Sequence, residues 1–148
     1  MNRLKPILCV AAALTLAPSG HAGPDRSGLN ANRAQNNYML NCQGCHQADG
    51  RGLEGSVPDM RSFVGRFLAT AGGREFLVQV PGSANSPLSD AELAELLNWI
   101  LLTMSHAELP ADFQRYSADE VSTLRGQPLI DVDARRAELV LAIEEDAP

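Results

Sequence analysis

Three side chains within one pentapeptide carry most of the chemistry open to this chain. Cys42-Gln43-Gly44-Cys45-His46 sets two thiols two residues apart, with an imidazole directly after the second. Thiols at that separation reach the two vinyl groups of one porphyrin and bond to both as thioethers. The adjacent histidine is then presented below the ring, where it can ligate iron. On this reading Cys42 and Cys45 bind one covalent haem c, and His46 is both a haem-binding residue and the metal ligand. Three other readings use the same residues. An oxidising compartment favours a Cys42–Cys45 disulfide. A thioredoxin-type redox pair has the same spacing but needs a βαβ context. A zinc site would need Cys42, Cys45, His46 and His106 together, and two neighbouring residues are a strained pair of corners for a tetrahedron.

The start of the chain reads as an export signal. Arg3 and Lys5 form a positive segment, Ile7 to Ala17 is apolar, and Gly20-His21-Ala22 offers small residues where a signal peptidase reads them. The expectation is cleavage after Ala22 and a periplasmic mature protein. The apolar run is too short to span a bilayer permanently, so no membrane span is expected in the mature chain. Cys9 lies inside that run and not at its end, which argues against a lipid anchor. Export and motif agree, because haem attachment of this kind takes place beyond the membrane. Loss of Arg3 and Lys5, the only lysine, takes the formal charge from −6 to −8. A chain this acidic does not bind nucleic acid or anionic membranes by electrostatics. A basic patch on a protein partner suits it better.

The elements that must position the motif are all helical, for no convincing alternating period occurs. The pattern predicts a helix over 30–41, with Ala34, Tyr38 and the Cys42 region on one stripe. A glycine-rich loop over 43–55 follows, then short helical pieces over 61–68 and 74–80, and a loop over 81–87. Ser89-Asp90-Ala91-Glu92 is a capping box opening the strongest helix, where Leu93, Leu96, Leu97, Ile100, Leu101 and Met104 recur at helical spacing. Ser117 to Glu120 offers a second capping box and a helix to Arg125, and a last helix is expected over 131–142. Aromatics are 5% of the chain, lean for one core; a large apolar prosthetic group would help fill it.

With Tyr38 four residues before Cys42, and Leu88 to Leu93 leading into Asn98-Trp99-Ile100, residues 27–104 resemble a small class I cytochrome c. The resemblance implies an all-α, cytochrome c-like fold, with an N-terminal helix leading into the motif, a haem-wrapping loop and a C-terminal helix crossing the first. The expected organisation is a signal peptide at 1–22, a haem domain at 23–106 and a helical extension at 107–148. The implied function is one-electron transport by a protein that is not an enzyme. Its redox partners would be a periplasmic dehydrogenase and a respiratory acceptor. Pro58, twelve residues after His46, would by the same resemblance give its carbonyl to the other ring nitrogen of that histidine. Arg61, Arg66 and Arg74 are candidates for the haem propionates.

One departure matters. Class I cytochromes usually place a methionine ligand shortly before the last helix, yet residues 81–88 contain neither methionine nor histidine. Met104 leads the remaining candidates for a sixth iron ligand, ahead of His106, Met60 and Met39, with an open position the other outcome. An open iron would point to a five-coordinate protein binding a gas or peroxide. A third reading makes the chain an accessory haem subunit docked on a larger dehydrogenase through its extension. Paired catalytic acids, a nucleophile with a partner histidine and a phosphate-binding glycine loop are all missing, so nothing suggests hydrolysis or group transfer.

Overall fold

Asn30 opens the first helix by accepting the Arg33 backbone N–H at 3.0 Å, which satisfies one of the donors that every helix start leaves unpaired. The computed structural model describes residues 28–146 and places α1 at Ala31–Asn41. The signal-peptide expectation, residues 1–22, lies outside the described residues. Ala34 and Tyr38 form the buried stripe of α1. The capping box forms as the sequence predicts: Ser89 Oγ accepts the Glu92 N–H, and the Glu92 carboxylate accepts the Ser89 N–H. From it α5 runs over Asp90–Met104, with Leu93, Leu96, Leu97, Ile100 and Leu101 buried.

Helices α1 and α5 pack together. The Tyr38 and Trp99 rings lie 5.5 Å apart at 47°, so Trp99 serves this contact. Glu95 of α5 is only 8% exposed and accepts from Asn30 N (2.7 Å) and from the Arg33 guanidinium (2.7 and 2.9 Å). A carboxylate taken this far from water must be matched in charge and fully hydrogen-bonded. Here one residue meets that need while fixing the start of α1.

Local departures from the pattern have identifiable causes. The segment 43–55 is not all loop: Gln43–His46 forms one helical turn, α2, because His46 N and Gln47 N return to the Cys42 and Gln43 carbonyls. Residues 81–87 also open with a helical turn, α4, Pro81–Ala84. Proline suits a first helical position, where its missing N–H costs nothing. Between these lie a 3₁₀ helix, Val64–Ala69, and α3, Gly73–Gln79. Among the described residues there is no strand, and the Leu53–Val57 bridge stands alone. The fold is all-α, as expected.

Beyond a second 3₁₀ turn, His106–Glu108, the chain folds back over α3 and α5 as α6, Ala118–Arg125, and α7, Val132–Glu145. The Asn98 side chain exchanges two hydrogen bonds with the Tyr116 backbone, at 2.8 and 3.0 Å, in a buried setting. Tyr116 also donates its hydroxyl to the Arg74 carbonyl. The second capping box is half formed: Ser117 caps Glu120 N, but the Glu120 carboxylate binds the Arg74 guanidinium. Val121, Leu139 and Ile143 join the same core. Burying each such side chain contributes about 1.5–3 kcal/mol. The face formed by Val121, Leu139 and Ile143 is covered by the extension's own chain, while Ile130 and Leu141 lie exposed.

Candidate functional site

The motif is presented by a break between two helices. Cys42 leaves helical geometry (φ −125°, ψ −38°), yet its N–H still reaches the Tyr38 carbonyl, and α2 then carries Cys45 and His46. The turn closes through Gln47 at φ 63°, held by a Tyr38 hydroxyl hydrogen bond to the Gln47 carbonyl at 2.6 Å. Gly52 donates to the His46 carbonyl at 3.1 Å. It has φ +68°, and a Cβ there would strike the Val57 and Pro58 carbonyls. Glycine is therefore required for the chain to bring Pro58 back beside His46.

These residues open onto a cavity of about 380 Å³ lined by Cys42, Cys45, His46, Pro58 and Met60, and otherwise mostly by apolar side chains. Cys42 is half-buried and Cys45 exposed, and the two are not joined. Burial pushes the Cys42 thiol up to about 11, with the neighbouring Cys45 adding to the rise. A thiol–disulfide catalyst needs the opposite shift. Burial lowers the His46 pKa, and the Pro58 carbonyl partly opposes this. That carbonyl does not meet Nδ1 in hydrogen-bonding geometry, since Nδ1 is buried with no partner.

Among the described residues no three His, Cys, Asp or Glu side chains form a metal-holding cluster. His106 is exposed in its 3₁₀ turn, so the four-residue zinc set is not assembled. An imidazole, two free thiols and an apolar enclosure, all lining one cavity, do fit a planar iron porphyrin.

The candidates for a sixth ligand are scattered. Met39 is 54% exposed and lies outside the cavity lining. Met104, the leading candidate from sequence, packs its sulfur on Gly50, where a Cβ would lie 2.6 Å from Sδ, and does not line the cavity. Met60 does line it, fixed by its N–H to the Gly50 carbonyl at 2.9 Å.

The arginines divide similarly. Arg61 is bound to Asp59 and Asp49, and Arg74 to Glu120. Arg66 has no carboxylate partner among the described residues; its guanidinium lies 5.7 Å from the Phe63 ring centroid. Arg136 of α7 lies 6.0 Å from the same centroid, also lacks a carboxylate partner among the described residues, and lines the cavity. Sequence reasoning passed over Arg136. Its signal was position: Arg136 falls on the stripe of Val132, Leu139, Val140 and Ile143, where a charge has no place without an anion to meet.

A helical fold closed around an apolar cavity, with thiols and imidazole at its rim, defines a protein that encloses a prosthetic group. No family model matches the chain. It is 33% identical over 106 residues to a cytochrome c-552 of Thermus thermophilus, covering 60% of this chain and 81% of that relative. A second cytochrome c-552, from another strain designation of the same species, is also 33% identical over 106 residues and is covered over 72% of its length. The chain belongs to the class I mono-haem c-type cytochromes, electron carriers whose cofactor is one covalently attached haem c. Among the described residues no helix is long and apolar enough to cross a membrane.

Proposed function

We propose that the mature protein is a periplasmic one-electron carrier in which Cys42 and Cys45 form the two thioethers and His46 is an axial iron ligand. The observation that carries this reading is the convergence of both thiols and the His46 imidazole on one apolar cavity. When bound, the haem supplies the redox couple; the protein orients it, limits water and tunes its potential. Burial favours the neutral form of the His46 imidazole, the form that ligates, and Pro58 lines the cavity beside it. Arg66 and Arg136 are the cations available to the propionates, and Arg136 makes the extension part of the haem enclosure.

Export through residues 1–22 and cleavage after Ala22 belong to this proposal, as does the division into a haem domain, 23–106, and an extension, 107–148. Redox partners are expected to be a dehydrogenase and a respiratory acceptor. They would approach the edge of the motif, where Cys45 is exposed and Met39 and Leu40 lie open on the preceding turn.

Haem staining of the exported protein after denaturing electrophoresis tests the reading. Wild type is expected to stain and Cys42→Ala/Cys45→Ala is not. His46→Leu is expected to keep the thioethers but lose the wild-type spectrum, with partial rescue by added imidazole. An unstained wild-type band of the correct mature mass would refute it.

A further inference from the structure

The cavity has an asymmetric supply of donors. Beyond the motif, Met60 is the only lining residue among those described with a thioether or imidazole. Met60 belongs to the wall that carries the motif: its N–H donates to the Gly50 carbonyl at 2.9 Å, in the loop that Gly52 ties to the His46 carbonyl at 3.1 Å. The lining from α3, α5 and the turn into α4 is hydrocarbon at Phe76, Leu77, Val80, Leu93, Leu96 and Leu97. The segment 81–88 contributes only Gly82, Ser83 and Ser86.

That segment is also pinned from behind. Arg125 of α6 donates to the carbonyls of Ala84 (3.1 Å), Ser86 and Leu88 (2.7 Å), and pairs with Asp90 at 2.9 Å. With a further hydrogen bond to the Ser86 hydroxyl, one side chain, itself 18% exposed, makes five contacts that hold the segment in place. The segment holds no methionine or histidine to deliver even if released.

Resting on the haem placement proposed above, we infer that the face of the iron opposite His46 is a binding site for a small, neutral diatomic ligand. The α3 and α5 part of the wall offers an anion no hydrogen-bond donor in exchange for its lost hydration. It accepts a neutral diatomic without that cost. Peroxide cleavage needs a positioned acid or base. Of the charged side chains lining the cavity, Asp59 is bound to Arg61, and Arg136 lies over Phe63. Each is engaged where it stands, the carboxylate in its ion pair and the guanidinium against the ring. The arrangement therefore favours a ligand that coordinates without acid–base help.

The test is an optical titration of the exported, haem-loaded protein with carbon monoxide after anaerobic reduction, beside azide added to the oxidised form. The expected result is a high-spin reduced spectrum that converts fully with one equivalent of bound carbon monoxide. Azide at the same concentrations should leave the oxidised spectrum unchanged. Met104→Leu should bind carbon monoxide within about twofold of wild type, which is less than about 0.5 kcal/mol, and Met60→Leu is the companion variant for an inert wild type. A low-spin spectrum inert to carbon monoxide overturns the proposal while leaving the haem reading intact. Should either leucine variant then become reactive, the ligand that closes the site is named. An azide complex as tight as the carbon monoxide complex overturns the restriction to neutral ligands. A protein without covalent haem overturns the haem placement itself.

Discussion

The two walls of the cavity are built by different means and offer different chemistry. Residues 42–60 form one wall by local chain geometry: a helix break, a single helical turn, and tight turns at Gln47 and Gly52 bring two thiols, an imidazole, a thioether and a carbonyl into 19 residues. The opposite wall comes from α3 to α5 and carries hydrocarbon, and its last part is held by α6 through Arg125. Metal donors are thus confined to the wall whose geometry is set by sequence neighbours. The other wall is shaped by packing between elements distant in the chain. The backbone that ends this wall is fixed by contacts behind it. The C-terminal extension supplies those contacts.

The largest effect is expected from breaking the first wall. Gly52→Ala puts a side chain at φ +68° and against two carbonyls; the expected loss is about 3–4 kcal/mol, read as a fall in thermal midpoint and in haem-loaded yield. Next comes the join between the extension and α5. Asn98→Leu leaves the buried Tyr116 N–H and C=O without partners, costing about 2–4 kcal/mol by denaturant titration, with the slope unchanged. Arg125→Ala releases the pinned segment of the second wall. It should cost about 1.5–3 kcal/mol and raise amide exchange over 83–90 while leaving α1 protected.

Smaller effects sharpen the comparison. Arg136→Leu removes a cation from the cavity without disturbing an ion pair, so stability should change by less than about 1 kcal/mol. The reduction potential should fall, because the oxidised state carries more positive charge and gains when a neighbouring cation is lost. The smallest effect concerns pH. Arg125 holds the Asp90 carboxyl below its ordinary value, with Ser122 adding to the shift. A depressed carboxylate stabilises the fold above its unfolded-state pKa, and that contribution disappears as pH falls through the folded value. Arg125→Ala should therefore flatten the acid limb of the stability curve below about pH 4.

What the sequence made legible follows the same division. The motif, the capping box at Ser89 and the stripe through α5 are local patterns, and each occurs where it was expected. The resemblance put the Pro58 carbonyl on the other ring nitrogen of His46; Pro58 does line the cavity beside His46, but that nitrogen has no hydrogen-bond partner. The role of Met104 was not legible. A methionine on an apolar helical stripe reads the same whether it faces a cavity or a glycine, and here Gly50 receives its sulfur. The turn at Pro81 was hidden by its composition, since Pro-Gly-Ser-Ala is as good a loop as a first helical turn. Arg125 and Arg136 act on segments far from them in the chain, and no local period encodes such a distance. Only the placement of Arg136 on an apolar stripe marked it.

The contrast between the walls is tested most directly by X-ray absorption at the iron edge of the exported protein, in both oxidation states. The account predicts four porphyrin nitrogens and one imidazole nitrogen, with no sulfur in the first coordination shell of either state. A sulfur ligand at bonding distance, or a second imidazole, would show that the hydrocarbon wall does not remain free of donors, and would contradict the account.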